Sequence, residues 1–131
     1  MAAETEVEPC EALNLVVSDP RTLVLMLASP EAAVCGQACE ALVAYADQGA
    51  KQKHEIIKLG ALPSLKALLV NKTPSIKKNA ALCMSTLTES SEVRKEVRRA
   101  KAIEPLVQLL DPEEDSEVHE NASLALANVR W

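Results

Sequence analysis

Residues 60–89 read GALPSLKALLVNKTPSIKKNAALCMSTLTE, and residues 101–130 read KAIEPLVQLLDPEEDSEVHENASLALANVR. Laid over each other, the two stretches match Leu62 with Ile103, Leu65 with Leu106, Leu68 and Leu69 with Leu109 and Leu110, Asn79 and Ala80 with Asn121 and Ala122, and Leu87 with Val129. The offset is 41 residues at the front and 42 at the back. A shift of 42 in the other direction lays Leu65, Leu69, Ala80, Cys83, Met84 and Leu87 over Leu23, Leu27, Ala38, Ala41, Leu42 and Tyr45. One unit is written three times. A repeat of this length marks a solenoid of helical hairpins, because each unit has apolar faces that only a neighbouring unit can bury.

The period inside the unit is helical. Ala80, Cys83, Met84 and Leu87 fall at i, i+3, i+4 and i+7, and Ala122, Ala125, Leu126 and Val129 repeat the stripe. Its small residues let adjacent helices approach closely. Gly60 is expected to end one helix in the left-handed conformation, with Pro63 opening the next. Thr73 and Pro74 supply an N-cap and a first helical residue. The helices expected are residues 20–28, 30–46, 51–59, 62–70, 74–88, 92–99 and 103–110, with a last one from Ser116 to the chain end and a short first one at 11–17. Ser29, Ser90 with Ser91, and Ser116 are read as further caps. In the third unit Ala100 and Lys101 occupy the turn where the second has Gly60, so that turn is expected to be strained or lengthened.

Three helices per unit, a Gly before an Ala-Leu-Pro opening and a long third helix reading NAALCMSTL resemble an armadillo repeat over residues 18–131. The runs TLVLMLASPEAAV (22–34), ACEALVAYA (38–46) and HENASLALANV (119–129) further resemble the opening repeats of long family members associated with cilia and testis. The resemblance implies an all-α, right-handed armadillo-type α-solenoid of about three repeats, at 11–49, 50–90 and 91–131, and the polar, acidic, aperiodic start MAAETEVE is read as part of a disordered leader at 1–10. It also implies a concave groove along the third helices, in which an Asn of a Leu-x-Asn-Leu motif holds an extended peptide. Leu126-Ala127-Asn128-Val129 matches, so Asn128 takes that role by resemblance, while Thr86 and Ala44 stand at the corresponding positions. One turn earlier, where nuclear-import members carry Trp, this chain has Leu124, Leu82 and Glu40. Without that Trp ladder it is not expected to act as a nuclear-import receptor. Gln37, Asn79 and Asn121, seven positions before Ala44, Thr86 and Asn128, are further candidate groove contacts, with solvent exposure as the plain alternative.

The composition agrees with thin stacked helices. Apolar residues make up 48% of the 131, yet Tyr45 and Trp131 are the only aromatics. The three glycines, Gly36, Gly49 and Gly60, assemble no phosphate loop. No apolar run is long enough to span a bilayer, so no membrane insertion is expected. Cys10, Cys35, Cys39 and Cys83 lack the spacing of a disulfide framework, which makes reduced thiols in the cytoplasm the simplest account. The cilium and the nucleus stay open as compartments.

Net charge is −5 and unevenly spread: residues 1–50 carry −7, residues 51–101 carry +8, and residues 102–131 carry −6. The basic band, including Lys66, Lys77, Lys78, Arg94, Arg98 and Arg99, offers a runner-up reading as a nucleic-acid- or acidic-surface-binding module. Residues 51–101 contain no aromatic to stack bases, so a protein or peptide partner is expected instead. Cys35 and Cys39 are four apart on one helical face, but they continue the apolar stripe toward Leu42 and no His completes a zinc set. His54 and His119 are read as solvated surface residues. No nucleophile motif, paired carboxylates or cofactor loop is present, so neither an enzyme nor a cofactor is expected. The expected function is a non-enzymatic protein-binding scaffold. The chain is also expected to be a fragment or, the favoured reading, a short variant of a longer array. Its last helix, with Trp131, leaves an apolar edge open to self-association.

Overall fold

A computed structural model describes residues 19–129, and everything regular among them is α-helical. The helices are α1 Pro20–Met26, α2 Ala32–Ala46, α3 Ala50–Lys58, α4 Ala61–Leu69, α5 Pro74–Leu87, α6 Ser91–Arg99, α7 Ile103–Gln108 and α8 Ser116–Val129. The leader at 1–10, Cys10, the helix expected at 11–17, and Trp131 lie outside the described residues.

The helices group by length and contact. Helices α3, α4 and α5 form one three-helix unit and α6, α7 and α8 another, while α1 and α2 are the second and third helices of the unit before. Within units, α1 packs on α2, α4 on α5 and α7 on α8. Between units, the long helices stack α2 on α5 on α8, and α3 packs on α6. This is an α-solenoid, built in the order that the repeat demands.

The core runs through all three units. Leu23, Leu65 and Leu106 are buried at one register, and Leu42, Met84, Leu87 and Val129 line the long-helix layer. Ala38, Ala80 and Ala122 are each 0% exposed, which is how small side chains bring α2, α5 and α8 close together. Gly36 adds to this, since a Cβ there would stand 3.2 Å from Asn79 Nδ2.

Several helix ends differ from the sequence reading. Pro20 and Pro74 open α1 and α5 as expected, with Asp19 and Thr73 before them in extended backbone. Ser29 does not cap α2; Glu31 holds that place, and the Ser29 hydroxyl accepts the Glu31 N–H at 3.1 Å. Helix α8 begins at Ser116 itself, because the Asp115 carbonyl already accepts the His119 N–H at 2.9 Å. Thr73 and Ser90 occupy N-cap positions, yet neither hydroxyl bonds the helix; Thr73 instead gives its N–H to Asn71 Oδ1 at 2.8 Å. Helix α7 stops at Gln108, since the Leu109 and Leu110 N–H groups turn to carbonyls three residues back.

Gly60 sits at φ 90°, ψ 29°, left-handed as expected. The equivalent turn in the third unit is strained rather than lengthened, with Lys101 at φ 59°. The Lys101 N–H bonds the Arg98 carbonyl and the Ala102 N–H bonds the Val97 carbonyl, both at 3.1 Å. That pair of bonds is a Schellman closure, sealed by buried Val97 and Ala102. An L-residue in this conformation costs about 1–2 kcal/mol, partly offset in a Gly variant by the looser unfolded chain. Lys101→Gly is therefore expected to raise stability by about 0.5–1 kcal/mol in urea denaturation. A loss would show that Lys101 makes a compensating contact.

Candidate functional site

Cations of the basic band occupy the seams between units. Lys53 Nζ donates to the Ala46 carbonyl at 3.0 Å, at the end of α2, and lies 3.6 Å from Glu89. Arg94, 41 positions on, does the same for α5: its Nε donates to the Thr88 carbonyl at 2.7 Å and its Nη2 to Glu89 O at 3.1 Å. Each places a cation where a long helix leaves carbonyls unpaired and its dipole is negative. The 41-residue repeat carries this signal, legible by aligning Lys53 with Arg94, although the sequence reading treats both as part of one band. Lys66 donates to the Ala100 carbonyl at 3.0 Å. Lys77 grips both oxygens of Glu114 at 2.9 and 2.7 Å, and Lys78 lies 3.4 Å from Glu117. Arg99 pairs with Glu96 at 2.9 Å, and Arg98 is exposed on α6. Five of the band's twelve cations, Lys53, Lys66, Lys77, Lys78 and Arg94, thus act as mortar between repeats.

The histidines are tied in as well. His54 is half-buried, with Nδ1 3.2 Å from Glu92 Oε2 but out of line for a hydrogen bond. His119 is exposed, and its Nε2–H donates to the Leu110 carbonyl at 2.9 Å. Across another seam the Tyr45 hydroxyl donates to Glu55. An open depression beside α8 is lined by Pro112, Glu114, Ser116, His119, Glu120 and Ser123. Its Glu114 is committed to Lys77 and its His119 to a carbonyl, which leaves no acid–base pair poised there.

Cys35, Cys39 and Cys83 are unpaired and buried between α2 and α5. Burial raises all three thiols, Cys83 to about 12 and Cys39 further still, with Cys83 and Cys35 beside Cys39 adding to its shift. No metal-binding cluster of three or more ligands occurs among the described residues. A thiol whose folded pKa lies above its unfolded value of 9.0 favours folding below that pH. That contribution is lost as pH rises through 9 toward 12, so stability is expected to fall over this window, less steeply in Cys83→Ala. At pH 8 the thiols should resist alkylation until denaturant is added.

The outward face of the long helices holds the remaining candidates. Gln37, Asn79 and Asn121 are half-exposed, and their amides have no hydrogen-bond partner among the described residues. Glu40, Leu82 and Leu124 are exposed, the two leucines by 37% and 51%. Thr86 and Asn128 do not join them. Thr86 is buried and donates to the Leu82 carbonyl of its own helix at 3.1 Å. Asn128 Nδ2 reaches back to α5, 3.2 Å from both the Ser85 carbonyl and Thr88 Oγ1. It adds a second donor to the Ser85 carbonyl, which already accepts from Thr88 Oγ1 at 3.2 Å, and so it staples α8 to α5. Along α8, His119, Ser123 and Ala127 are exposed and Leu126 is half-buried, an edge more polar than its leucines suggest.

Stacked three-helix units whose long third helices share one outward face define a helical-repeat solenoid. The armadillo/beta-catenin-like repeat model matches residues 49–89 and 90–129, and the chain belongs to the armadillo-repeat family. It is 34% identical over 129 residues to human Armadillo repeat-containing protein 3, covering 95% of this chain and 15% of that protein. Among solved structures, computationally designed armadillo repeat proteins for modular peptide recognition match at 29% identity and TM-score 0.79, covering 91% of this chain and 50% of theirs. A designed armadillo repeat protein in complex with the peptide (KR)4 matches at 28% identity and TM-score 0.80, covering 91% and 49%. The chain thus spans a small fraction of the human relative and about half of the designed chains. No helix among the described residues is long and apolar enough to cross a membrane.

Proposed function

We propose that this chain is a non-enzymatic protein-binding scaffold that takes an extended peptide segment across the outward face of α2, α5 and α8. The observation that carries the reading is the set of unpartnered amides Gln37, Asn79 and Asn121, one per repeat, beside exposed Leu82 and Leu124. A regular row of free amides suits the evenly spaced N–H and C=O groups of an extended backbone. Designed relatives of the same fold, one of them bound to a peptide, support this use. The reading departs from the motif in one respect: the amides one turn-pair earlier take over from Asn128, which is engaged within the fold. The basic band is the weaker candidate, because Lys53, Lys66, Lys77 and Arg94 are already engaged at the seams. The three unpaired buried thiols favour a reducing compartment such as the cytoplasm.

Selection of a displayed random-peptide library against the full chain tests the proposal. Selected peptides should lose binding to Leu82→Glu and Asn79→Ala proteins of unchanged helical content, and should lose little affinity between 50 and 300 mM salt, roughly severalfold at most, unlike a multi-phosphate ligand. Binders indifferent to both substitutions, or an oligonucleotide that outcompetes them, would overturn it.

A further inference from the structure

The register of the long helices says which peptide suits this face. Gly36 lies against Asn79, and Asn128 reaches Ser85, so structural neighbours on adjacent long helices stand 43 positions apart. Residues 42 apart are then side by side to within one position, and Glu40, Leu82 and Leu124 form a row across three repeats. Glu40 is exposed and has no ion-pair partner among the described residues. Lys78, one turn before Leu82 on α5, is paired with Glu117 at 3.4 Å. Exposed Glu120, one turn before Leu124, leaves the face net acidic.

Resting on the peptide-binding reading above, we infer that the occupant is an extended segment whose side chains at three alternate positions are apolar, apolar and basic, seated on Leu124, Leu82 and Glu40. Packed helices lie about 8–10 Å apart. Two residues of extended chain advance about 7 Å, the even step closest to that spacing, and only even steps return side chains to the same side. The residues between point away from the face. Their backbone groups face Gln37, Asn79 and Asn121. The two leucines present apolar area that water covers poorly, and Glu40 selects a cation at one end and rejects an anion.

The test uses the full chain and fluorescein-labelled peptides read by anisotropy: Gly-Leu-Ser-Leu-Ser-Lys-Ser-Gly, its reverse order to cover both directions, the Glu-for-Lys version of each, and a scramble. One of the two Lys peptides should bind at least about threefold tighter than its Glu version and than the scramble, as for an exposed ion pair. Glu40→Lys should invert that preference, about tenfold overall, and Leu124→Glu should weaken both versions about tenfold. If Glu40→Lys changes Lys and Glu peptides alike, the pattern is wrong. Library-selected peptides that need Leu82 and Asn79 but lack the alternation sink the inference while the groove reading stands. Absence of any peptide sensitive to Leu82→Glu sinks both.

Discussion

Leu65→Ala is expected to lower the unfolding free energy by about 3 kcal/mol, within the roughly 2–5 kcal/mol that buried leucines lose when a cavity is left behind. Leu65 is 0% exposed on α4, which packs against α3, α5 and α7, so it lies where the second unit meets the third. Its counterparts Leu23 and Leu106 are equally enclosed. In a solenoid, stability is nearly a sum of unit and neighbour-interface terms, and damage here weakens the unit that both neighbours lean on. Against a total of about 5–15 kcal/mol, the loss is large. Urea denaturation should show a lower midpoint at an unchanged slope. Leu82→Ala, at a position 37% exposed, should cost well under half as much. Equal losses at the two positions would contradict the assignment of Leu65 to the core and Leu82 to the exposed outward face.

Gly60→Val is expected to cost about 2 kcal/mol, and to lower the melting temperature by roughly 5–10 °C. At φ 90° the backbone is in the region that L side chains rarely adopt, and a β-branched residue suffers most there. A Cβ at this site meets nothing within 4 Å, so the cost comes from the backbone conformation alone and not from a clash. Gly60→Asn, whose side chain tolerates the left-handed region, should therefore recover much of the loss, whereas a steric cause would penalise Asn as well. An unchanged melt for Gly60→Val would mean that the turn between α3 and α4 relaxes freely.

Lys101 shows why the turn was only half legible. Its alignment with Gly60 located the turn, but nothing local said whether the chain would lengthen it or hold it under strain. The answer came from Val97 and Ala102, both at 0% exposure, whose burial closes the Schellman bonds and holds Lys101 at φ 59°. The caps were legible by position but not by bonding: Thr73 and Ser90 stand at N-cap positions without bonding their helices, Ser29 accepts the Glu31 N–H instead of capping α2, and proline opens α5 regardless.

What the sequence determined by itself was the repeat and everything periodic in it within residues 19–129: the order and type of the helices, the alanine register that lets α2, α5 and α8 pack closely, the core leucines, and the glycine turn at Gly60. These follow from neighbours within a turn or from one offset of 41–42 residues, both visible in a string of letters. What only the tertiary structure decided was which polar side chains are free. In the sequence Asn128 and Thr86 are groove candidates alongside Asn121 and Asn79, but Asn128 bonds Ser85 43 positions away and Thr86 is buried and bonds its own helix, while the other two keep their amides open. Lys77 and Lys66 likewise spend their charge on Glu114 and Ala100, 37 and 34 positions off. A side chain's availability depends on whether an unpaired helix end or an opposite charge from another repeat lies within about 3 Å, and that distance exists only once the units are stacked.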